Sequence, residues 1–280
     1  MCTLTGDRVS LFHDAPSGIE AIRARFSGHA YDMHQHDEWL VGVTERGVQD
    51  FYCRGARRQS TPGRVILIEP QEAHDGQAGH ADGFTYAMLY LPRPWLKAAL
   101  QEDGAGDPGF SASLLDDTRL GQAIWQAYGA LTRPDSRLAV DAALDGVVDR
   151  LRPHLGRAEK RGRPGRDGII ARRVHERLRA LPADDIGADA LADEVGAVSR
   201  FQLARAFRAE YGTSPHQFLV QIRLQEARRL LAKGKTPADV ASLTGFADQS
   251  HLGRWFRRAY GLTPAAYRAT CLADRSARTF

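Results

Sequence analysis

Cysteine is scarce in this chain: Cys2, Cys53 and Cys271 are scattered over 280 residues. There is no CxxC pair and no even-numbered set, so neither a disulfide framework nor a zinc finger is supported. The pattern fits a reducing compartment. No run approaches the roughly 18 apolar residues of a membrane span, and the first thirty residues lack the apolar core of a signal peptide. A soluble, cytoplasmic protein with no membrane partner is expected. Also missing are a phosphate-cradling glycine motif and any Ser/His/Asp or Cys/His constellation, which leaves most enzyme classes without support. No catalytic residue, metal or cofactor is assigned.

Charge is divided unevenly. Residues 1–156 carry 15 Lys+Arg against 21 Asp+Glu, a net of −6, which leaves 23 against 13, a net of +10, for residues 157–280. A basic half beside an acidic one suggests a polyanion partner for the first, because lysine and arginine release counterions when they meet phosphates. A solvated basic surface is the plainer alternative.

From Ile19 onward the periodicity is close to two. Ile22, Ala24 and Phe26 alternate with Arg23 and Arg25, and further short runs follow at Trp39–Val43, Val48–Cys53, Arg64–Ile68 and Phe84–Leu91. Glu45-Arg46-Gly47 and Arg54-Gly55 sit where hairpin turns are expected, and Thr61-Pro62-Gly63 introduces the next strand. Closely spaced strands without intervening helices predict an antiparallel sandwich or small barrel. His34, His36 and Glu38 occupy alternate positions, so on one extended strand their side chains share a face, and His74 follows a later strand.

These residues resemble the cupin barrel, whose first motif has His-x-His and whose second ends in Pro-x-Gly-x-x-His. Pro70-Gln71-Glu72-Ala73-His74 lacks the glycine and places the histidine one position early. In metal-dependent cupins such a set of three histidines and a glutamate binds a transition metal, but Glu38 lies closer to His36 than that motif prescribes. The favoured reading is a barrel of residues 1–103 in which His34, His36, Glu38 and His74 hydrogen-bond a small effector without a metal.

Apolar residues then recur at three and four. Pro92 to Leu100 predicts a helix over the barrel's open edge, and two longer helices are expected at about Asp116 to Leu131 and Ser136 to Leu155. This helical subdomain, residues 104–155, has two candidate uses: packing on the barrel, or pairing with a second subunit to form a homodimer. Residues 156–167 follow, rich in Gly and Arg, and read as a linker.

Residues 168–280 contain one text written twice, forty-nine positions apart. Leu191-Ala192 meets Val240-Ala241, Gly196 meets Gly245, and Leu203, Arg205, Phe207, Arg208, Tyr211, Gly212 and Pro215 meet Leu252, Arg254, Phe256, Arg257, Tyr260, Gly261 and Pro264. A register held without a gap predicts two helix-turn-helix units, 187–212 and 236–261, in an all-α domain. Ser199 is placed to cap the second helix of the first unit. Ser214-Pro215-His216-Gln217 starts a joining helix of eighteen residues, about 27 Å, and Thr236-Pro237 starts the second unit.

Arg205 and Arg254 fall in the middle of the exposed helix faces, where an arginine can bond guanine O6 and N7 together. Arg200, Phe201 and Gln202, and Gln249, Ser250 and His251, stand near the helix starts, within reach of base edges. Arg208, Arg257 and Arg258 are placed to hold phosphates.

Through Gly245-Phe246-Ala247-Asp248-Gln249-Ser250-His251-Leu252, Phe256-Arg257-Arg258-Ala259-Tyr260-Gly261 and Thr263-Pro264-Ala265-Ala266-Tyr267-Arg268, the chain resembles the AraC/XylS family of bacterial transcription regulators. The resemblance implies a two-domain α+β protein whose front barrel senses a small molecule. Its paired units would enter adjacent major grooves of double-stranded promoter DNA, with RNA polymerase as a further partner. Two other readings compete: a metal-dependent cupin enzyme fused to a DNA-binding tail, and an architectural DNA binder that senses nothing.

Overall fold

Phe84 to Leu91 is buried at every position, yet its side chains divide strictly between two cores. Phe84, Tyr86, Met88 and Tyr90 point into one apolar cluster, and Ala87, Leu89 and Leu91 into another. A strand with period-two side chains can be apolar throughout only if both its faces are covered. This computed structural model describes residues 7–27, 29–100, 108–133, 136–157, 165–184 and 186–276 and shows what covers them. It divides into two compact units, Met1–Glu159 with Ala269–Phe280, and Lys160–Arg268.

In the first unit the strands run in order as β1 (Arg8–Asp14), β2 (Ile19–Phe26), β3 (His29–His34), β4 (Trp39–Gly47), β5 (Gln49–Cys53), β6 (Ala56–Ser60), β7 (Val65–Ile68), β8 (His74–Ala78) and β9 (Phe84–Leu91). The helix α1 (Arg93–Leu100) follows, then β10 (Pro108–Phe110), β11 (Leu114–Leu115), α2 (Thr118–Thr132), α3 (Arg137–Leu151) and β12 (Leu155–Arg157). A six-stranded antiparallel sheet has the order β1-β2-β9-β4-β7-β11, and a four-stranded sheet the order β3-β8-β5-β6. Leu40, Phe51, Ile66, Ile68 and the aromatic face of β9 fill the space between them. Trp39, Val41, Val43, Val65 and Leu67 face the other way, toward Leu120, Ile124, Leu144 and Val148 of α2 and α3. The helical pair therefore belongs to the barrel's outer core.

Three expectations need correction. The Glu45–Gly47 turn closes no hairpin, because β4 pairs with β7 and β9 while β5 pairs with β6 and β8. A register shift between Thr44 and Arg46 bends the chain from one sheet to the other, and Gly47 completes the bend at φ 71°. A Cβ there would lie 2.0 Å from the Gly83 carbonyl oxygen, so only glycine fits. β3 stops at His34, so His36 and Glu38 stand on the bent connection into β4 and do not share one strand face. Leu155 is outside the helix and pairs with Phe110. The Arg54-Gly55 hairpin is present, with positive φ at both residues as a two-residue type I′ turn requires. Cys2, most of the linker at 156–167, and the boundary at 103/104 lie outside the described residues.

The second unit is helical: α4 (Arg166–Ala180), α5 (Ala188–Val195), α6 (Arg200–Tyr211), α7 (Pro215–Ala232), α8 (Pro237–Leu243), α9 (Gln249–Tyr260) and the start of α10 (Pro264–Ser276). Ser199 caps α6, the Ser214–Gln217 capping box starts α7, and Thr236 caps α8. Ile170, Val174 and Leu178 of α4 meet Leu191, Val195, Leu203, Phe207 and Phe218 in one core.

One side chain ties the tandem together. Arg223 of α7 donates to the carbonyls of Pro182 (2.7 Å), Asp184 (3.1 Å) and Gly245 (2.7 Å), joining the loop ahead of α5 to the turn between α8 and α9. The turn residue Gly245 (φ 77°) is packed so closely that an added Cβ would sit 3.0 Å from both Ala183 and the Arg223 guanidinium.

Candidate nucleic-acid interface and barrel cavity

Helix α6 buries Leu203, Ala206 and Phe207 and exposes Arg200, Phe201, Arg205 and Arg208. Phe201 is 71% exposed, with the Arg200 guanidinium 5.1 Å from its ring centroid, and Arg200 also reaches Asp189 at 3.5 Å. Gln202 differs from its neighbours. Its Oε1 accepts from the Val198 N–H at 2.8 Å and its Nε2 donates to Asp167 at 3.0 Å, so its amide braces the turn.

Helix α9 repeats the arrangement. Leu252 and Phe256 are buried, while Gln249, Ser250, Arg254, Arg257 and Arg258 are exposed. His251 is half-buried: its Nε2 accepts from the Trp255 indole at 2.9 Å and its ring stands edge-on to Phe246. With Nε2 accepting, the neutral ring carries its hydrogen on Nδ1 and offers a donor. Asp248 caps the helix by accepting from the His251 N–H at 2.7 Å, a bond that lowers the carboxyl's pKa. Arg258 lies 5.8 Å from the Trp255 ring. Trp255 and Asp248 are the functional neighbours that sequence reasoning passed over. Trp255 is signalled by its place one helical turn after His251, and Asp248 by its place immediately before the helix.

In the barrel, His34, His36 and His74 come together, their ligating nitrogens all within 4.8 Å of one another and all three residues buried. Glu38 is not in the group. The His34 Nδ1 is 2.7 Å from the Asp32 carbonyl and the His74 Nδ1 is 2.8 Å from the Glu72 carbonyl, which orients both rings. Burial lowers the His34 pKa to about 4, against the opposing charge of Asp75 and a backbone hydrogen bond at His74. Burial, reinforced by His34, also holds His74 well below the usual range. Both rings are neutral at pH 7.

A small cavity open to solvent adjoins them and is lined among others by Tyr31, Gln49, Asp75, Tyr86 and Tyr90. The Tyr31 and Tyr86 hydroxyls hydrogen-bond to each other, and burial raises both phenol pKa values. Asp75 accepts from the Tyr52 N–H at 2.7 Å and pairs with Arg57 at 2.9 Å. Among the described lining residues there is no lysine or arginine.

Residues 16–148 match the model of the AraC-like ligand binding domain, and residues 191–270 match a helix-turn-helix domain. The chain belongs to the AraC family. A transcriptional regulator of Bacillus subtilis, YbfI, is 26% identical over 84% of this chain and 86% of its own. The activator RhaS of Pectobacterium atrosepticum is 23% identical over 96% and 97%, and the activator NphR of a Rhodococcus species is 39% identical over 75% and 65%. Among solved structures, ToxT of Vibrio cholerae shares the fold at a TM-score of 0.54 and 10% identity, covering 95% of this chain and 97% of its own. A second ToxT structure, with an unsaturated fatty acid bound, matches at 0.54 and 12%, covering 96% and 97%. The protein is thus a DNA-binding transcription regulator of AraC type with a ligand-binding domain, and the relatives named here are regulators. Among the described residues no helix is long and apolar enough to cross a membrane.

Proposed function

We propose that the two helix-turn-helix units read adjacent major grooves with α6 and α9, and that an effector held in the barrel cavity governs this binding. In this reading Arg205 and Arg254 contact guanines, Phe201, Gln249, Ser250 and His251 meet neighbouring base edges, and Arg208, Arg257 and Arg258 hold phosphates. Arg200 lies beside them, and Gln202 contributes by holding the turn. The observation that carries the proposal is the mirrored exposure of Arg205 and Arg254 on two capped helices joined by α7. Residues 1–103 with 104–155 would form the sensing part, 156–167 the linker and 168–280 the reading part, acting in the cytoplasm. The barrel recognises its ligand without turning it over, a reading supported by relatives named as regulators.

The eighteen residues of α7 span about 27 Å, less than the roughly 34 Å between successive major grooves on one face of DNA. Fragments selected from genomic DNA by the full chain should therefore contain two half-sites about one turn apart, and should be bent in the complex. Straight DNA at full occupancy in circular-permutation gel shifts refutes the bend. Selection without any sequence enrichment refutes specific reading.

The proposal extends to two partners. RNA polymerase is one, contacted by the promoter-bound regulator. The other is a second copy docking through α3, where Leu138 is 79% exposed. Light scattering at micromolar protein should give a dimer mass, and a monomer with and without DNA excludes this pairing.

A further inference from the structure

Three imidazoles converge in the barrel from separate parts of the chain: His34 at the end of β3, His36 on the bent connection and His74 at the start of β8. Backbone carbonyls hold Nδ1 of His34 and His74, so in each neutral ring Nε2 carries the lone pair. A histidine that donates one nitrogen to a carbonyl and offers the other is the usual form of a metal ligand. An ion about 2.1 Å from each of three nitrogens in tetrahedral geometry needs them about 3.4 Å apart. The three nitrogens lie within 4.8 Å of one another, so binding an ion would draw the rings together. The triad leaves out Glu38, whose spacing departs from the cupin motif, and keeps His74, which that motif places one position later.

We propose that His34, His36 and His74 bind one divalent first-row transition ion of the kind imidazole suits, zinc above all, and that the ion anchors an effector bearing an oxygen donor such as a carboxylate or hydroxamate. The second half rests on reading the adjoining cavity as the effector site. His34 and His74 line that cavity, so an ion they share borders it. The described residues of the cavity wall supply phenol hydroxyls, an amide and apolar surface, with Asp75 as a carboxylate and no lysine or arginine among them. An anionic group therefore lacks a cation there unless an ion provides it. Three protein ligands leave zinc an open position for such a group.

The test uses the full chain, stripped with chelator and titrated with Zn(II) by calorimetry and with Co(II) by visible absorption. One ion per chain is expected, and the Co(II) bands should shift when acetohydroxamate is added. His34→Gln and His74→Gln should each weaken Zn(II) binding by about 100-fold or more, whereas His80→Gln, at an exposed position, should leave it unchanged. If the histidine variants fail to fold, pulsed electron paramagnetic resonance of the Cu(II)-loaded wild type should still show imidazole nitrogen couplings. Binding below one ion per chain, affinity unchanged in both variants, or absent imidazole couplings overturns the metal site. Bands that ignore acetohydroxamate overturn the anchoring role. Selective DNA binding is measured separately, so the regulator reading stands or falls independently of these outcomes.

Discussion

Replacing Phe256 with alanine is expected to lower the stability of the second helix-turn-helix unit by about 3–5 kcal/mol and to abolish specific DNA binding. Phe256 is fully buried, with its ring 4.7 Å from that of Tyr260 and 5.6 Å from that of Tyr267. Val240, Ala241, Phe246, Leu252 and Tyr267 are among the other buried apolar residues between α8 and α10. Removing the ring deletes both its transfer free energy and the contacts its neighbours make with it, and leaves a cavity where it stood. The Arg228 guanidinium, 5.1 Å from the Tyr260 ring and itself buried, then loses part of its cover. Urea unfolding of the full chain should show an early transition for the DNA-binding half while the barrel transition stays in place. A variant that keeps both its transition and its operator affinity refutes this account of the core.

The second large effect concerns reading, with folding left intact. Arg254 is exposed in the middle of α9, away from the buried Leu252 and Phe256 stripe, so Arg254→Ala should leave the melting curve unchanged. On the selected operator it is expected to cost about 1–3 kcal/mol, the worth of a bidentate guanine contact, with a smaller loss on random DNA. Arg258→Ala should weaken both DNAs alike and reduce the salt slope by about 0.9, the share of one phosphate. Fluorescence anisotropy across a salt series distinguishes them. Equal losses on both DNAs for Arg254→Ala remove its base-reading role.

The second half was legible because its signals are local. Caps such as Ser199 and Ser214 declare helix boundaries within four residues, and the forty-nine-residue register places Arg205 and Arg254 without any tertiary information. The barrel was legible in its strands and less so in its connections. β1 is mostly half-buried with two exposed positions, so its sequence carries a weak alternation. The crossing at Gly47 depends on a close approach to Gly83, thirty-six positions away, which no local turn rule contains. The same holds for the candidate sites. His34 and His74 meet because β3 pairs with β8, where their Cα atoms are register partners, and Glu38 is left out because the strand ends early. Gln202 stands at a base-reading position near the start of α6, and its amide hydrogen-bonds to Asp167, thirty-five residues upstream, a contact that no local rule contains.

The three carbonyls held by Arg223 have a consequence for the helical phase of the operator. With the loop ahead of α5 and the turn before α9 fastened to one side of α7, the two reading helices behave as fixed prongs. One base pair inserted between their half-sites rotates one target by about 34–36° around the DNA axis. A flexible joint absorbs such a rotation, whereas a clamped one passes it on as torsion in the DNA. Operators of this regulator should therefore vary in sequence more freely than in spacing.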